Sequence, residues 1–343
     1  MEFIQKLREI IEATVTRAKE VNKISMFSIA TISNVNSKEI LFPSMRETDK
    51  TVCGNILLNS ERYLGEIIKE IDGIVEIILV DTETKTPNVV DLESKVGNLA
   101  KKSKILTFKP NDLAIDAADA LIAQLKSPLK DKKITIIGGG NVGSKLALKL
   151  VERGADVYLT RRNKRKLEKI VEGLNIIKSD YLRGRVHYTT QNLEATENAD
   201  VLIGTTPGVA VITADMIKHT KAGSLVLDLG TGTIFPDAIE EAKRRNIEVL
   251  CLFMKPGYDG ALETILQTEN LIQNLKSKNL GSFSIISAGI LGKRGDIIVD
   301  NVDNPTIILS IADGKGDVIP DINDREFQEN VAIVKSLIRS EIK

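Results

Sequence analysis

The feature that most constrains this chain is the run from Lys132 to Arg165, KKITIIGGGNVGSKLALKLVERGADVYLTRRNKR. Ile134 to Ile137 reads as a buried strand, and Gly138-Gly139-Gly140-Asn141-Val142-Gly143 follows at once. Ser144 to Arg153 then has helical periodicity, Gly154 ends it, and Val157-Tyr158-Leu159 opens a second strand. A G-x-G-x-x-G pattern set between a strand and a helix is the phosphate-binding turn of a dinucleotide fold. Gly138 permits the tight turn, Gly140 leaves room for a pyrophosphate, and Gly143 lets helix and strand pack closely. The helix N-terminus offers free N–H groups and a partial positive charge that suit phosphate, so Asn141, Val142 and Gly143 are expected cofactor contacts with Gly138 and Gly140.

The second strand ends at Thr160 without the acidic residue that would hold a ribose 2′-hydroxyl. Arg161, Arg162, Lys164, Arg165 and Lys166 follow instead. A 2′-phosphate needs cationic donors, and arginine offers a planar fork that matches it. The expected cofactor is therefore NADP rather than NAD, with Arg161 and Arg162 as main ligands and Thr160 and Arg165 assisting.

A chain of 343 residues suggests two domains. Its formal net charge is zero, which gives no electrostatic case for nucleic acid or an anionic membrane surface. No apolar run reaches the length of a membrane span, and the N-terminus does not read as a signal peptide. The expectation is a cytoplasmic protein. Cys53 and Cys251 lack metal or redox spacing, so neither a disulfide framework nor a metal site is expected. His187 and His219 read as structural.

Residues 1–126 alternate helices and strands: a helix to about residue 22, strands at Met26–Ile32, Glu39–Phe42, Val75–Val80 and Ile105–Phe108, and helices at Ser60–Ile71, Val89–Lys102 and Ala114–Leu125, the last capped by Asn111 or Asp112. The stretch SMRETDKTVCGN between them reads as a polar loop in which Arg46, Asp49 or Thr51 could meet substrate. Residues 127–280 read as a Rossmann domain with further strands at Val186–Thr190, Asp200–Thr205, Ser224–Leu229 and Glu248–Phe253. Pro256–Gly260 reads as a turn before a helix at Ala261–Leu275. Residues 281–343 read as a β-hairpin-rich extension closed by a helix at Phe327–Ile338, a segment expected to support a homodimer. The fold class is thus α/β: an N-terminal α/β substrate lobe and a doubly wound parallel sheet. Three loops fall at the carboxyl edge of that sheet, where ligands bind. They carry Thr205, Thr206 and Pro207, then Gly230, then Gly257.

The two-lobed plan resembles the amino-acid-dehydrogenase-like enzymes, in particular methylenetetrahydrofolate dehydrogenase/cyclohydrolase and shikimate dehydrogenase. LKDKKITIIGGGNVGSKLALKL resembles the folate enzymes' Rossmann entry. TRRNKR resembles the shikimate enzymes' Asn-Arg-Thr-x-x-Lys turn, with Arg161 matching and Thr160 and Arg162 departing. ADVLIGTTPG resembles the later loop of both. MKPGYDGALETILQTEN resembles the folate enzymes' Pro-Gly-Gly-Val-Gly-Pro-Met turn and helix, with Tyr258, Asp259 and Ala261 departing. The resemblance implies hydride transfer between NADP and a small polar substrate held between the lobes: a hydroxy or keto acid, an imine, or a pterin-linked one-carbon unit. The catalytic motifs of both enzymes are missing. Lys95, on the helix where the folate enzymes carry a lysine, and Asp116, near where the shikimate enzymes place an aspartate, are the substitutes. Lys50 is a third. A non-catalytic NADP(H)-binding sensor or assembly protein, or a cofactor-free cyclohydrolase-like enzyme, are the alternatives. The sensor reading gains if no titratable residue before residue 126 faces the cleft.

Overall fold

The computed structural model describes residues 2–32, 39–319 and 321–340. The chain divides into two compact units, Met1–Ala261 and Leu262–Lys343. The first holds both the largely parallel N-terminal sheet and the Rossmann sheet, so the N-terminal lobe and the Rossmann part share one unit. The division falls within a helix, before the expected boundary at residue 280.

The first unit opens with α1 (Glu2–Glu20), β1 (Ile24–Thr31), β2 (Ile40–Leu41), β3 (Arg46–Glu47), β4 (Thr51–Leu58), α2 (Leu64–Ile71), β5 (Ile77–Asp81), α3 (Leu92–Leu99), β6 (Lys104–Phe108) and α4 (Pro110–Lys126). The sheet runs β2-β4-β1-β5-β6, with β3 also on β4. Strands β4, β1, β5 and β6 are parallel, while β2 and β3 are antiparallel to β4. The polar segment expected to be a loop is therefore largely strand. Thr51 to Leu58 forms a nearly continuous buried strand despite its Thr, Cys, Gly and Asn. Its polar groups are satisfied internally: Ser28 Oγ donates to Asn55 Oδ1 at 2.8 Å, and Asn55 Nδ2 donates to the Ser44 carbonyl at 2.8 Å. Gly54 is required because a Cβ there would stand 2.7 Å from Thr14 Oγ1 on α1.

The Rossmann part follows: β7 (Lys133–Ile137), α5 (Asn141–Glu152), β8 (Asp156–Thr160), α6 (Lys164–Ile177), β9 (Val186–Thr189), α7 (Asn192–Thr196), β10 (Val201–Gly204), α8 (Ala214–His219), β11 (Leu225–Asp228), α9 (Pro236–Arg244), β12 (Glu248–Cys251) and α10 (Lys255–Gln273). Its strand order is β12-β11-β10-β7-β8-β9, and every pairing is parallel. Numbered from β7 this is 3-2-1-4-5-6, the doubly wound dinucleotide arrangement. One face of the sheet is covered by Ile115, Ala118 and Ile122 of α4 with Leu146, Leu150, Leu167 and Val171 of α5 and α6. The other is covered by Met216, Ile217, Ala238 and Ala242 of α8 and α9.

Helix α4 joins the two sheets. Its acids at 112, 116 and 119 share one helical face. They meet a basic row on α5: Lys145–Asp112 at 2.5 Å, Lys149–Asp116 at 3.0 Å and Arg153–Asp119 at 2.6 Å. The Glu83 carboxylate accepts from Asn111 N in the first turn of α4 at 2.7 Å. Lys109 occupies the cap position and Pro110 the first turn, where its missing N–H costs nothing.

The segment Pro256–Gly260 is not a turn. It forms the start of α10, and the reason is packing: a Cβ on Gly257 would lie 2.2 Å from the Leu113 carbonyl of α4. Glycine here serves a close helix approach rather than a bend.

The second unit carries a sheet ordered β13 (Ser277–Asn279), β14 (Ser284–Ser287), β15 (Ile297–Val299), β16 (Ile308–Ala312) and β17 (Val318–Ile319), followed by a short 3-10 turn and α11 (Gln328–Ser340). Phe327, Val331 and Val334 pack on Ile285, Ile297 and Ile311. The expectation of successive hairpins holds for β13/β14, β15/β16 and β16/β17. It fails between β14 and β15, which pair in parallel.

Candidate functional site

The glycine turn sits where the strand order of the Rossmann sheet reverses, between β7 and β10. Gly138 has φ +121°, and a Cβ on it would meet Thr205 Oγ1 at 2.6 Å. A Cβ on Gly143 would meet the Gly138 carbonyl at 2.2 Å, whereas one on Gly140 would meet nothing within 4 Å. The turn is thus packed at its first and last glycines and open at the middle one, the profile needed for a pyrophosphate to lie on the backbone. No side chain caps α5 at Gly140, so its first-turn N–H groups face outward. The observed cradle fits a dinucleotide.

Several expected ligands have structural work as well. Thr205 Oγ1 donates to the Gly138 carbonyl at 2.7 Å, and Thr206 Oγ1 donates to the Val209 carbonyl at 2.6 Å. Thr160 is buried, and its carbonyl accepts from Gly139 N at 2.6 Å. A Cβ on Gly230 would lie 2.0 Å from the Thr206 carbonyl, so this glycine lets the two loops touch. Thr233 of the same loop gives its hydroxyl to Asp228 at 2.8 Å. At the end of β8, Arg161 Nη1 donates to the Gly139 carbonyl at 2.5 Å, tying the basic segment to the glycine turn. Arg162 and Arg165 are exposed. Asn163 caps α6 by accepting from Lys166 N at 3.0 Å.

A cavity of about 290 Å³ lies beside this turn. Val142, Thr205, Pro207, Leu229 and Gly230 form its Rossmann wall; Ser28, Thr31, Asn55, Lys85 and Asn111 form polar parts of the other. It therefore lies at the carboxyl edges of both parallel sheets, the place where open α/β sheets bind ligands. In the N-terminal sheet that edge is also a switch point, since β4 lies on one side of β1 and β5 on the other. There Asp81, fully buried, accepts from Thr31 N and Thr31 Oγ1 at 3.0 Å each and from Glu83 N at 2.8 Å. Its remaining partner is Lys85 Nζ, at 2.6 Å.

Lys85 is thus the cleft-lining lysine, and the three expected catalytic residues lie elsewhere. Lys95 pairs with Glu61 at 2.6 Å, and that hydrogen bond lowers the Glu61 carboxyl below its usual range. Asp116 belongs to the α4–α5 ion-pair row, where it raises the Lys149 ammonium. Lys50 is exposed in the turn between β3 and β4. Gly257 is used against α4, as described above, and does not line the cavity. Among the described residues no cluster suited to a metal ion occurs. His187 stacks on Tyr158, and His219 Nδ1 bonds the Asp215 carbonyl, both structural placements. No helix among the described residues is long and apolar enough to cross a membrane.

Arg46 lines both this cavity and a second one of about 480 Å³ that includes Tyr258 and Asp259. Its guanidinium lies 4.8 Å from the centre of the Tyr258 ring. Tyr258 is 1 % exposed, and its hydroxyl has no partner of good hydrogen-bond geometry among the described residues. Burial raises the Tyr258 phenol and pushes the adjacent Cys53 thiol up to about 11.

A family model described as NADP oxidoreductase, coenzyme F420-dependent, matches residues 133–232. Alanine dehydrogenase 2 of Staphylococcus aureus is 34% identical over 106 residues, which are 28% of this chain and 26% of that enzyme. The match thus spans about a quarter of the relative's length. Among solved structures, a dipicolinate synthase chain of Bacillus halodurans has a TM-score of 0.36 at 16% identity, covering 60% of this chain and 69% of that one. Ornithine carbamoyltransferase of Pyrococcus furiosus has a TM-score of 0.43 at 12% identity, covering 76% and 92%.

Proposed function

We propose that this protein is an NADP(H)-dependent oxidoreductase that moves a hydride to or from a small polar substrate held between its two parallel sheets. The observation that carries the reading is the shared cavity: a dinucleotide turn open at Gly140 faces, across about 290 Å³, a wall bearing Lys85. The nicotinamide supplies the hydride when bound. This chain's own residues would hold the pyrophosphate on Gly138–Gly143, place Arg162 and Arg165 at the 2′-phosphate with Arg161 bracing the turn, and manage the proton that must accompany hydride transfer at a C–O or C–N centre.

Lys85 suits that last task. Asp81 is buried and spends its other lone pairs on Thr31 and Glu83, so it fixes the ammonium without facing substrate. The sensor reading would have gained from a cleft without titratable groups from the first lobe; Lys85 and Arg46 both line it, which favours the enzyme reading. Identity to alanine dehydrogenase 2 over 106 residues, together with the family model on residues 133–232, supports NAD(P) chemistry in general; the choice of NADP rests on the basic end of β8. The test is Lys85→Met. It is expected to keep NADPH affinity and to lower turnover, with any carbonyl or imine substrate found by screening, by about 100-fold or more, the usual scale of lost general acid–base catalysis. Unchanged turnover would remove Lys85 from the mechanism.

A further inference from the structure

We infer that the substrate carries an anionic group, a carboxylate or a phosphate, and that Arg46 is the residue that seats it. The inference rests on the cleft being a substrate site and adds the chemical class it accepts. Three observations converge.

First, the charge in the cavity is one-sided. Among the described residues its lining contains two cations, Arg46 and Lys85, and no Asp or Glu. Lys85 is already neutralised, by Asp81 at 2.6 Å with Glu83 at 3.9 Å. Arg46 is not: among the described residues its guanidinium has neither an ion pair nor a hydrogen bond, only the Tyr258 ring. The adjacent acid cannot serve. Successive side chains of a strand point to opposite faces. Glu47 accordingly turns away to Arg17 at 2.9 Å and Lys23 at 2.8 Å, and those bonds hold its carboxyl down at about 2. Asp259 holds Lys255 through Oδ2 at 2.5 Å; its Oδ1 is buried without a hydrogen-bond partner and makes no ion pair with Arg46 among the described residues.

Second, Arg46 is built into place. Its strand pairs with β4 through Arg46 and Cys53. The chain just before it is pinned by Asn55, which is buried and donates to the Ser44 carbonyl at 2.8 Å. The guanidinium carbon lies over the buried Tyr258 ring, and its N–H donors have no hydrogen-bond partner among the described residues, so they are available to a ligand. A half-buried guanidinium so held, with its donors unused, is prepared for the bidentate bonds that carboxylate and phosphate accept.

Third, the space is small and, among the described residues, its polar groups other than Arg46 and Lys85 are neutral. Ser28 and Asn55 bond each other, and the cavity leaves Arg46 as the one uncompensated charge among its described lining residues.

The experiment is calorimetric titration of the full chain, with and without saturating NADPH, using oxalate, inorganic phosphate and uncharged oxamide as separate probes. Oxalate or phosphate is expected to bind and oxamide not; which anion binds distinguishes a carboxylate from a phosphate substrate. Arg46→Gln should weaken the anion roughly 10-fold or more, the scale of hydrogen bonds to charged groups. Arg46→Lys, which keeps the charge and loses the fork, should fall between. Should Arg46→Gln not fold, Arg46→Lys carries the comparison. Wild-type protein that binds neither anion, or an anion affinity equal in wild type and variant, would overturn the inference. Absent NADPH binding with an intact, Arg46-dependent anion site would instead count against the cofactor reading.

Discussion

At the scale of single residues, the site depends on which charges are already spoken for. Lys85 and Arg46 both line the cleft, yet one is bound to Asp81 and the other rests on an aromatic ring. By the same logic Lys95 and Asp116, which the family resemblance suggested, are engaged by Glu61 and Lys149. Lys85 had no periodic signal. It follows the strand IILVD in an irregular segment, and only the pattern Asp81-x-Glu83-x-Lys85 directly after a buried strand could have drawn attention to it. Glu47 yields a pH prediction. Its carboxyl lies at about 2 instead of 4.5, held there by Lys23 first and Arg17 second. A carboxyl lowered in the folded state stabilises it while ionised, so this contribution is complete above 4.5 and lost as pH falls towards about 2. Glu47→Gln should therefore unfold more easily than wild type at neutral pH, and the gap should close on acidification through that window in thermal melts. A constant gap down to pH 2 would contradict the assignment.

At the scale of elements, the glycine turn, α5, β8 and the basic start of α6 were legible because local chemistry and tertiary role coincide there. Strand β4 was not, since its Thr, Cys, Gly and Asn read as loop while their partners, Ser28 and the Ser44 carbonyl, lie far away in sequence. The start of α10 misled for a related reason. Pro256 and Gly257 suggest a turn, but proline is tolerated in a first helical turn and the glycine answers to the Leu113 carbonyl at 2.2 Å. This distinction has a sign. Replacing glycine by alanine within a helix ordinarily stabilises by about 1 kcal/mol. Gly257→Ala should do the reverse, lowering the melting temperature and weakening anion binding at Arg46, because α10 must move off α4 and carries Tyr258 with it. An increase in stability would show that the close approach is not needed.

At the scale of the whole molecule, two parallel sheets in one unit bring their carboxyl edges to a common cavity, and α4 fixes that arrangement by contributing to the Rossmann core and to the ion-pair row. Sequence periodicity revealed both sheets but not the cavity, which depends on strand order. The parallel β14/β15 pairing escaped for the same reason: short strands with turn residues between them do not declare whether the chain crosses over. The central proposal is that the open turn at Gly140, with the basic end of β8, holds NADP(H). Titration of the purified protein with NADPH and, separately, NADH, followed by nicotinamide fluorescence, tests this most directly. Micromolar NADPH binding with NADH at least about tenfold weaker, a difference of roughly 1.4 kcal/mol, is the predicted result. Binding of neither, or equal binding of both, would contradict it.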